Sequence, residues 1–148
     1  MKAVYEQRKI ESELEVSTYL VRLKYALDSG SAKIFFQRDR QVDVARDKKY
    51  TNRQTMLVLF PDEDEVTVLK RELATLTVCD YIETVKDTRF PNRSDMRVFG
   101  KKYLEEDVYI KIRVELIGAM GSNEILVMSF HFAAHTFVAT DFPYREKR

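Results

Sequence analysis

The stretch from Asp107 to Glu115 constrains the fold of this chain most strongly. Its apolar and polar residues alternate strictly, which predicts a β-strand, because successive side chains of a strand point to opposite faces of the sheet. One face of this strand is apolar and carries Val108, Ile110, Ile112 and Val114. The other face carries Tyr109, Lys111 and Arg113. We therefore expect a sheet with one buried side and one side of different chemistry.

The same reasoning extends to the flanking residues, so that Asp95 to Phe132 is predicted to form three consecutive antiparallel strands. In the last of them, from Ile125 to His131, alternation predicts an apolar side formed by Leu126, Met128 and Phe130. Ser129 and His131 would then lie beside Tyr109 and Lys111. A phenol, an ammonium group, a guanidinium, a hydroxyl and an imidazole are thus expected on one surface.

The first half of the chain predicts mainly helices. Ser12 and Glu15 have the spacing of a capping box, and a helix follows that ends near Gly30, with a buried stripe of Val16, Leu20, Leu23 and Leu27. A second helix should be capped by Thr51 or Asn52 and run through Leu59. The acidic residues from Asp62 to Glu65 suit the start of a third helix, because carboxylates are favoured near a helix N-terminus. Its buried stripe is predicted to be Val66, Leu69, Leu73 and Leu76.

The remaining segments predict short strands and loops. Lys33 to Gln37 and Asp80 to Thr84 are expected to be short strands, and the charged residues from Arg38 to Tyr50 a solvated loop.

The resulting fold class is α+β, an antiparallel sheet with the N-terminal helices packed on one face. We expect residues 1–148 to form a single domain, with residues 1–11 as an N-terminal arm and residues 133–148 as a C-terminal tail.

Composition excludes several classes of protein. The chain has 148 residues and one cysteine, Cys79, so no intrachain disulfide framework is expected. Its formal net charge is only +1, so no overall field indicates nucleic acid or membrane, although this leaves room for a local basic patch. A single cysteine fits the reducing cytosol, so we expect a cytoplasmic protein. No apolar run approaches the length of a membrane span, so no membrane partner is expected. No metal or cofactor is predicted. His131 and His135 are four residues apart, but His131 is expected to end a strand and no third histidine or nearby cysteine completes a site.

Four short motifs stand in a characteristic order and near characteristic spacings: Leu76-Thr77 with Asp80-Tyr81, Val98 to Lys101, Asp107 to Lys111, and Val127 to His131. Together they resemble the MqsR family of bacterial toxins. The resemblance covers roughly Val16 to Phe132. It implies a RelE-like fold, the toxin of a type II toxin–antitoxin system, an endoribonuclease that cleaves mRNA, and a cognate antitoxin protein that holds it inactive.

The resemblance also implies site residues. Tyr109 matches a strand tyrosine implicated in cleavage, and His131 stands where the best-known member of the family has a lysine. A second lysine of that member corresponds to Glu83, which reverses the charge at this position.

Metal-free RNA cleavage requires a base, a cation and an acid at the scissile phosphate. Tyr109, Lys111 and His131 are the predicted catalytic residues, because histidine suits proton transfer near neutral pH and lysine supplies positive charge. For RNA binding the predicted residues are Arg97, Lys101, Lys102 and Arg113. Phe99 or Tyr103 would stack on a base.

Two hypotheses follow from the sequence. The first is the toxin-type endoribonuclease. The second is a non-catalytic RNA- or protein-binding module on the same scaffold, for which the charge reversal at Glu83 would mark lost activity. The basic loop from Arg38 to Lys49 is a predicted contact for an acidic surface of the antitoxin.

Overall fold

The computed structural model describes residues 5–30, 32–40, 47–115 and 123–145. In these residues the chain is mixed α+β, with three α-helices and a six-stranded sheet. The helices are α1 (Glu13–Asp28), α2 (Asn52–Leu59) and α3 (Glu65–Leu73). The strands are β1 (Glu6–Lys9), β2 (Ala32–Phe36), β3 (Tyr81–Asp87), β4 (Met96–Tyr103), β5 (Glu106–Glu115) and β6 (Asn123–Phe132). Single 3₁₀ turns form at Lys48–Tyr50, Val78–Asp80 and Ala139–Asp141.

The strand order is β1-β3-β4-β5-β6-β2. Neighbouring strands are antiparallel except β2, which runs parallel to β6. The prediction of three consecutive antiparallel strands in the last third of the chain is confirmed by β4, β5 and β6. The loop between β4 and β5 has two residues, Leu104 and Glu105, and both have positive φ, at 52° and 64°.

The prediction that residues 1–11 form an arm is wrong for Glu6–Lys9, which pairs with β3 as an edge strand. This segment has the sequence Glu-Gln-Arg-Lys, so it lacks the apolar alternation by which strands are recognised. Its strand conformation depends on pairing with β3. The predicted tail also belongs to the folded structure as far as it is described, because the Tyr144 hydroxyl donates a hydrogen bond to the Glu11 carbonyl.

The predicted helix ends are largely confirmed. Ser12 and Glu15 form the reciprocal capping box of α1, Thr51 caps α2, and Gly30 adopts the left-handed conformation after α1. In α3 the stripe differs, because Val66 is 41% exposed while Val68 is buried with Leu69 and Leu73. At about 100° per residue, Val66 falls at the margin of the face that these three residues define.

One apolar cluster joins the three helices to alternate residues of the sheet. Its helix members include Val16, Leu20, Leu23, Met56, Leu69 and Leu73. Its strand members include Phe99, Ile110, Ile112, Ile125, Val127 and Phe130. We call the side of the sheet that carries these strand residues the core side, and the opposite side the polar side.

Side chains of α2 form hydrogen bonds with the backbone of β6 beyond the end of β2. The Asn52 amide donates to the carbonyls of Gln37 and Met128 at 2.8 and 2.9 Å, and its side-chain oxygen accepts from the Phe130 N–H. Thr55 Oγ1 accepts from the Phe132 N–H at 2.9 Å. The side chains of Asn52 and Thr55 therefore provide hydrogen-bond partners for backbone groups of β6 that have no partner on β2. Such partners are needed because a buried N–H group without a hydrogen bond is costly.

A β-bulge corrects the predicted alternation of β6. Lys111 pairs with Ser129, but Ile112 pairs with Val127, so Met128 is an extra residue in β6. Ile125 and Val127 therefore lie on the core side, and the prediction that Leu126 and Met128 lie there is wrong. An inserted residue reverses the faces of the residues on one side of it and leaves those on the other side unchanged. Phe130 consequently lies on the core side, as predicted.

Candidate functional site

A cleft of about 830 Å³ opens on the polar side of the sheet. It is lined by side chains from β1, β5, β6 and the segment that follows β6. Its charged and polar lining residues include Glu6, Arg8, Arg40, Tyr109, Lys111, Ser129, His131, His135 and Asp141. The most polar surface predicted from the sequence thus belongs to a concave site.

The register of β5 and β6 brings the predicted residues together. Tyr109 pairs with His131 and Lys111 pairs with Ser129, so all four share the polar side. The rings of Tyr109 and His131 are stacked, with centroids 5.4 Å apart and planes inclined by 21°. The prediction that these four residues lie on one face is confirmed. Of the three residues predicted to lie opposite them, Ile110 and Phe130 do, but Met128 packs against the same small apolar cluster as Tyr109.

Burial sets the protonation of the phenol and the ammonium group. It is the main cause that raises the pKa of Tyr109 to about 12, and the Glu83 carboxylate adds to the effect. The phenol is therefore protonated at neutral pH and can donate a hydrogen bond. Burial also lowers the pKa of Lys111, whose residue is only 8% exposed, although the Glu6 carboxylate opposes this shift.

His131 is held by the backbone of its own strand. Its Nδ1 lies 2.9 Å from the carbonyl oxygen of Phe132. Because a carbonyl only accepts hydrogen bonds, the neutral imidazole carries its proton on Nδ1 and a lone pair on Nε2. This tautomer allows Nε2 to accept a proton. The imidazolium form allows the same ring to donate one.

Ion pairs connect β1 to the floor of the cleft. Glu6 Oε1 lies 3.1 Å from Arg8 Nη2, and Glu6 Oε2 lies 3.4 Å from Lys111 Nζ. The other arm of the Arg8 guanidinium donates to Glu83. The carboxylate at position 83, where the resemblance implies a lysine, is thus paired with a guanidinium from the N-terminal strand.

Sequence reasoning missed Arg8, Glu6 and Arg40. Arg40 Nη1 donates to Ser129 Oγ at 3.3 Å, directly beside Lys111 in the register of the sheet. Arg40 belongs to the charged run that was interpreted as a loop, and only its position in space distinguishes it from its neighbours. In the same run Arg38 pairs with Glu65 and Lys49 with Glu106, while residues 41–46 lie outside the described residues.

Two residues predicted to bind RNA, Arg97 and Lys101, lie on the core side of the sheet. In the register of β4 and β5 they are opposite Ile112 and Val108, whereas Val98 and Gly100 are opposite Lys111 and Tyr109. Because side chains alternate between the two faces, odd-numbered residues of this strand point away from the cleft. The structure therefore does not bring Arg97 and Lys101 together with the catalytic candidates.

Arg97 forms a buried ion pair with Glu11. Its Nε and Nη2 donate to the two carboxylate oxygens at 2.9 and 3.1 Å, and its guanidinium lies 4.3 Å from the ring centre of Tyr19. Glu11, which is 6% exposed, also accepts from Thr84 Oγ1 at 2.5 Å. Burial alone would raise the pKa of Glu11, but hydrogen bonds from Arg97 and Thr84 and the charge of Arg97 outweigh it and lower the pKa.

The other residues predicted to contact RNA are distributed around the sheet. Lys101 Nζ donates to Thr75 Oγ1 at 3.0 Å on the core side. Phe99 is buried in the main cluster, and the ring of the partly buried Tyr103 packs against Phe60 and Phe130. Lys102 is on the polar side and exposed, 3.5 Å from Asp107. Arg113 is also on the polar side but lines a neighbouring depression, with its Nε 3.4 Å from Glu115.

Comparisons with known proteins add no relative. A scan of protein-family models, a search of curated proteins and a search of solved structures each found no significant match to the chain. Across the described residues, no three His, Cys, Asp or Glu side chains are grouped to hold a metal ion. No helix in the same part of the chain is long and apolar enough to cross a membrane.

Proposed function

We propose that this protein is a metal-independent endoribonuclease that cleaves mRNA, with the RelE-like arrangement of MqsR toxins. In this arrangement the N-terminal helices cover the core side of the sheet and the polar side holds the RNA. One observation carries the proposal. Tyr109, Lys111 and His131 converge in one cleft that Arg8 and Arg40 also line.

The proposed reaction uses the RNA's own 2′-hydroxyl as the nucleophile. A base removes its proton, the oxygen attacks the adjacent phosphorus, and the bond from phosphorus to the 5′-oxygen breaks as an acid protonates that oxygen. The products are a 2′,3′-cyclic phosphate and a 5′-hydroxyl. Negative charge increases on the phosphate oxygens in the transition state, so nearby cations and hydrogen-bond donors accelerate the reaction.

The side chains of the cleft suit these roles. His131 can accept a proton at Nε2 when neutral and donate one when protonated, and its contact with the Phe132 carbonyl fixes the ring. Tyr109, whose pKa is raised to about 12, remains a hydrogen-bond donor to a phosphate oxygen. Lys111, which is paired with Ser129 across the strands, and Arg40, which donates to the Ser129 hydroxyl, supply positive charge.

The proposal is tested with purified protein and a long RNA in buffer containing EDTA. Cleavage should persist in EDTA, and the 5′ fragments should end in a cyclic phosphate that acid hydrolysis opens. The His131→Ala variant, purified in the same way, controls for contaminating ribonucleases. Equal cleavage by the two folded proteins would overturn the assignment.

We also propose a cognate antitoxin protein as the partner, with an acidic surface that contacts the basic loop from Arg38 to Lys49. Induced expression of the chain alone should arrest growth, and co-expression with the neighbouring gene should relieve the arrest. The two proteins should elute together on size exclusion. Separate elution at low salt would contradict this partner.

One observation favours the non-catalytic binding module. Lys111 is paired with Glu6, and Arg8 is paired with both Glu6 and Glu83. Two of the cations in the cleft are therefore already neutralised by carboxylates of the protein. A module of this kind would bind RNA or a protein without cutting RNA. Wild-type protein that binds a long RNA and leaves it intact under all conditions would support it.

A further inference from the structure

The carboxylate of Glu6 connects two cations that lie on different strands. One of its oxygens lies 3.1 Å from Arg8 Nη2 on β1, and the other lies 3.4 Å from Lys111 Nζ on β5. A phosphodiester also presents two oxygens that share one negative charge. A phosphate that replaced the carboxylate could therefore contact both cations.

The contact between Glu6 and Lys111 crosses the sheet. Strands β3 and β4 lie between β1 and β5, and neighbouring strands are about 4.8 Å apart, so the two side chains extend toward each other above the intervening strands. Val85 of β3 and Val98 of β4 are buried in a small apolar cluster on the polar side, with Tyr109 packed against it. The ion pair thus forms over an apolar floor.

Lys111 requires an anion in this position. The residue is 8% exposed, and an ammonium group that is buried without a partner is strongly unfavourable. Its pKa is lowered chiefly by burial and further by the charges of Arg40 and Arg8, while the interactions with Glu6 raise it. Any group that displaces Glu6 without leaving Lys111 unpaired must carry negative charge.

Displacement of Glu6 requires only its side chain to turn away, because Glu6 and Arg8 share one short edge strand, β1, which can stay paired with β3. Arg8, in contrast, keeps a second carboxylate partner, Glu83, when Glu6 moves away. Release of Glu6 would therefore leave Arg8 and Lys111 in place and Arg40 nearby, at Ser129.

We infer that Arg8 and Lys111 form a binding subsite for an RNA phosphate, and that Glu6 occupies this subsite in the unbound protein and is displaced by RNA. This inference rests on the proposed function for the identity of the ligand. It assigns β1 to the substrate-binding surface. It also makes Glu6 an internal competitor, which weakens binding of RNA.

The test measures binding rather than cleavage. Fluorescence anisotropy with a labelled single-stranded 2′-O-methyl RNA, which lacks the nucleophile and cannot be cut, gives the Kd at several salt concentrations. Glu6→Gln should bind about 2- to 5-fold more tightly than wild type, the change in equilibrium that one partly exposed ion pair supports. Glu63→Gln is the matched control, because Glu63 pairs with Arg71 outside the cleft, and it should bind like wild type.

Two further variants test the roles of Arg8 and Lys111 in binding the phosphate. Arg8→Ala should bind more weakly, and the slope of log K against log salt should decrease by about 0.7, as expected for one lost phosphate contact on a single strand. The gain from Glu6→Gln should disappear when it is combined with Lys111→Met. Thermal unfolding establishes that each variant is folded, and Glu6→Asp, which keeps the charge but is one methylene shorter, replaces Glu6→Gln if that variant is unstable.

The outcomes separate this inference from the proposed function. A folded Glu6→Gln or Glu6→Asp protein that binds no better than wild type overturns the subsite, whether or not wild type cleaves RNA. Absence of binding by both wild type and Glu6→Gln overturns it as well. Tighter binding by Glu6→Gln without any cleavage of natural RNA supports the subsite and contradicts the endoribonuclease.

Discussion

The imidazole of His131 stacks on the phenol ring of Tyr109, with 5.4 Å between ring centroids, because the two residues are directly paired across β5 and β6. Each ring limits the positions that the other can adopt. Both belong to strands, so the pair is positioned by the sheet rather than by a loop. A site built in this way should tolerate substitutions in surrounding loops better than substitutions that change the strand register.

Replacement of His131 should remove proton transfer from the proposed reaction. We expect His131→Ala to reduce the cleavage rate by about 100- to 10,000-fold, the usual contribution of a positioned acid or base. The rate is measured under single-turnover conditions with a fluorescent RNA. His135→Ala is the matched control, because His135 lines the same cleft and has no assigned role. Equal losses in the two variants would count against a specific role for His131.

Tyr109 should act as a protonated donor over a wide pH range. Because its pKa is raised to about 12, the cleavage rate should not fall through ionisation of this phenol between pH 8 and pH 10. Tyr109→Phe should reduce the rate by about 100-fold, as for loss of one donor to a developing oxyanion. Tyr25→Phe, at an exposed position on α1, serves as the control. Unchanged cleavage by Tyr109→Phe would remove the tyrosine from the mechanism.

Arg97 should stabilise the fold without binding RNA. Arg97→Met leaves the Glu11 carboxylate buried and unpaired, so the free energy of unfolding should decrease by about 3–5 kcal/mol. The free energy of unfolding is measured by urea denaturation. Arg53→Met is the control: it breaks an exposed ion pair with Asp39 and should change the free energy of unfolding by no more than about 1 kcal/mol. A weaker RNA affinity of Arg97→Met, at a temperature where it remains folded, would restore Arg97 to the RNA-binding surface.

The ion pair between Arg97 and Glu11 should make the free energy of unfolding depend on pH in the acidic range. The pKa of Glu11 is lowered below its ordinary value of 4.5 in the folded protein, so its stabilising contribution is present above about pH 4.5 and is lost as pH falls through the lower, folded value. Glu11→Gln lacks this titration. Urea unfolding at pH 7, 4 and 3 should therefore show the difference between wild type and Glu11→Gln becoming smaller toward acid. A constant difference would contradict the lowered pKa.

The turn between β4 and β5 contains residues that do not suit its backbone. Leu104 and Glu105 both have positive φ, a conformation that asparagine and glycine adopt more easily. The double variant Leu104→Asn, Glu105→Gly should increase the free energy of unfolding by about 1–2 kcal/mol. Gly30→Ala is the opposite control, because Gly30 has a φ of 75° and alanine should be destabilising there. Reduced stability of the double variant would show that the turn depends on other contacts of these side chains.

Local sequence signals predicted the features that depend on neighbouring residues. The capping box of Ser12 and Glu15, the cap at Thr51 and the left-handed Gly30 follow from backbone groups within a few residues. The alternation from Asp107 to Glu115 predicted β5 and its polar side for the same reason. Alternation within β5 and β6 also predicts that Tyr109, Lys111, Ser129 and His131 share one face.

Contacts between distant segments produced the features that were missed. Glu6–Lys9 becomes a strand only by pairing with β3, and Arg40 reaches Ser129 across 89 positions of the sequence. The bulge at Met128 cannot be predicted from the alternation of apolar and polar residues, because the two-residue period holds on each side of it.

The sequence by itself determined the helices, the central strands and the chemical character of the polar side, since these depend on local capping and on the two-residue period. Only the tertiary structure decided which charges meet. It paired Arg97 with Glu11 on the core side, and Glu6 with Lys111 and Arg8 with Glu83 on the polar side. The reason is physical. An ion pair depends on the distance between two charged atoms, and for residues far apart in sequence that distance exists only after the sheet has brought their strands together.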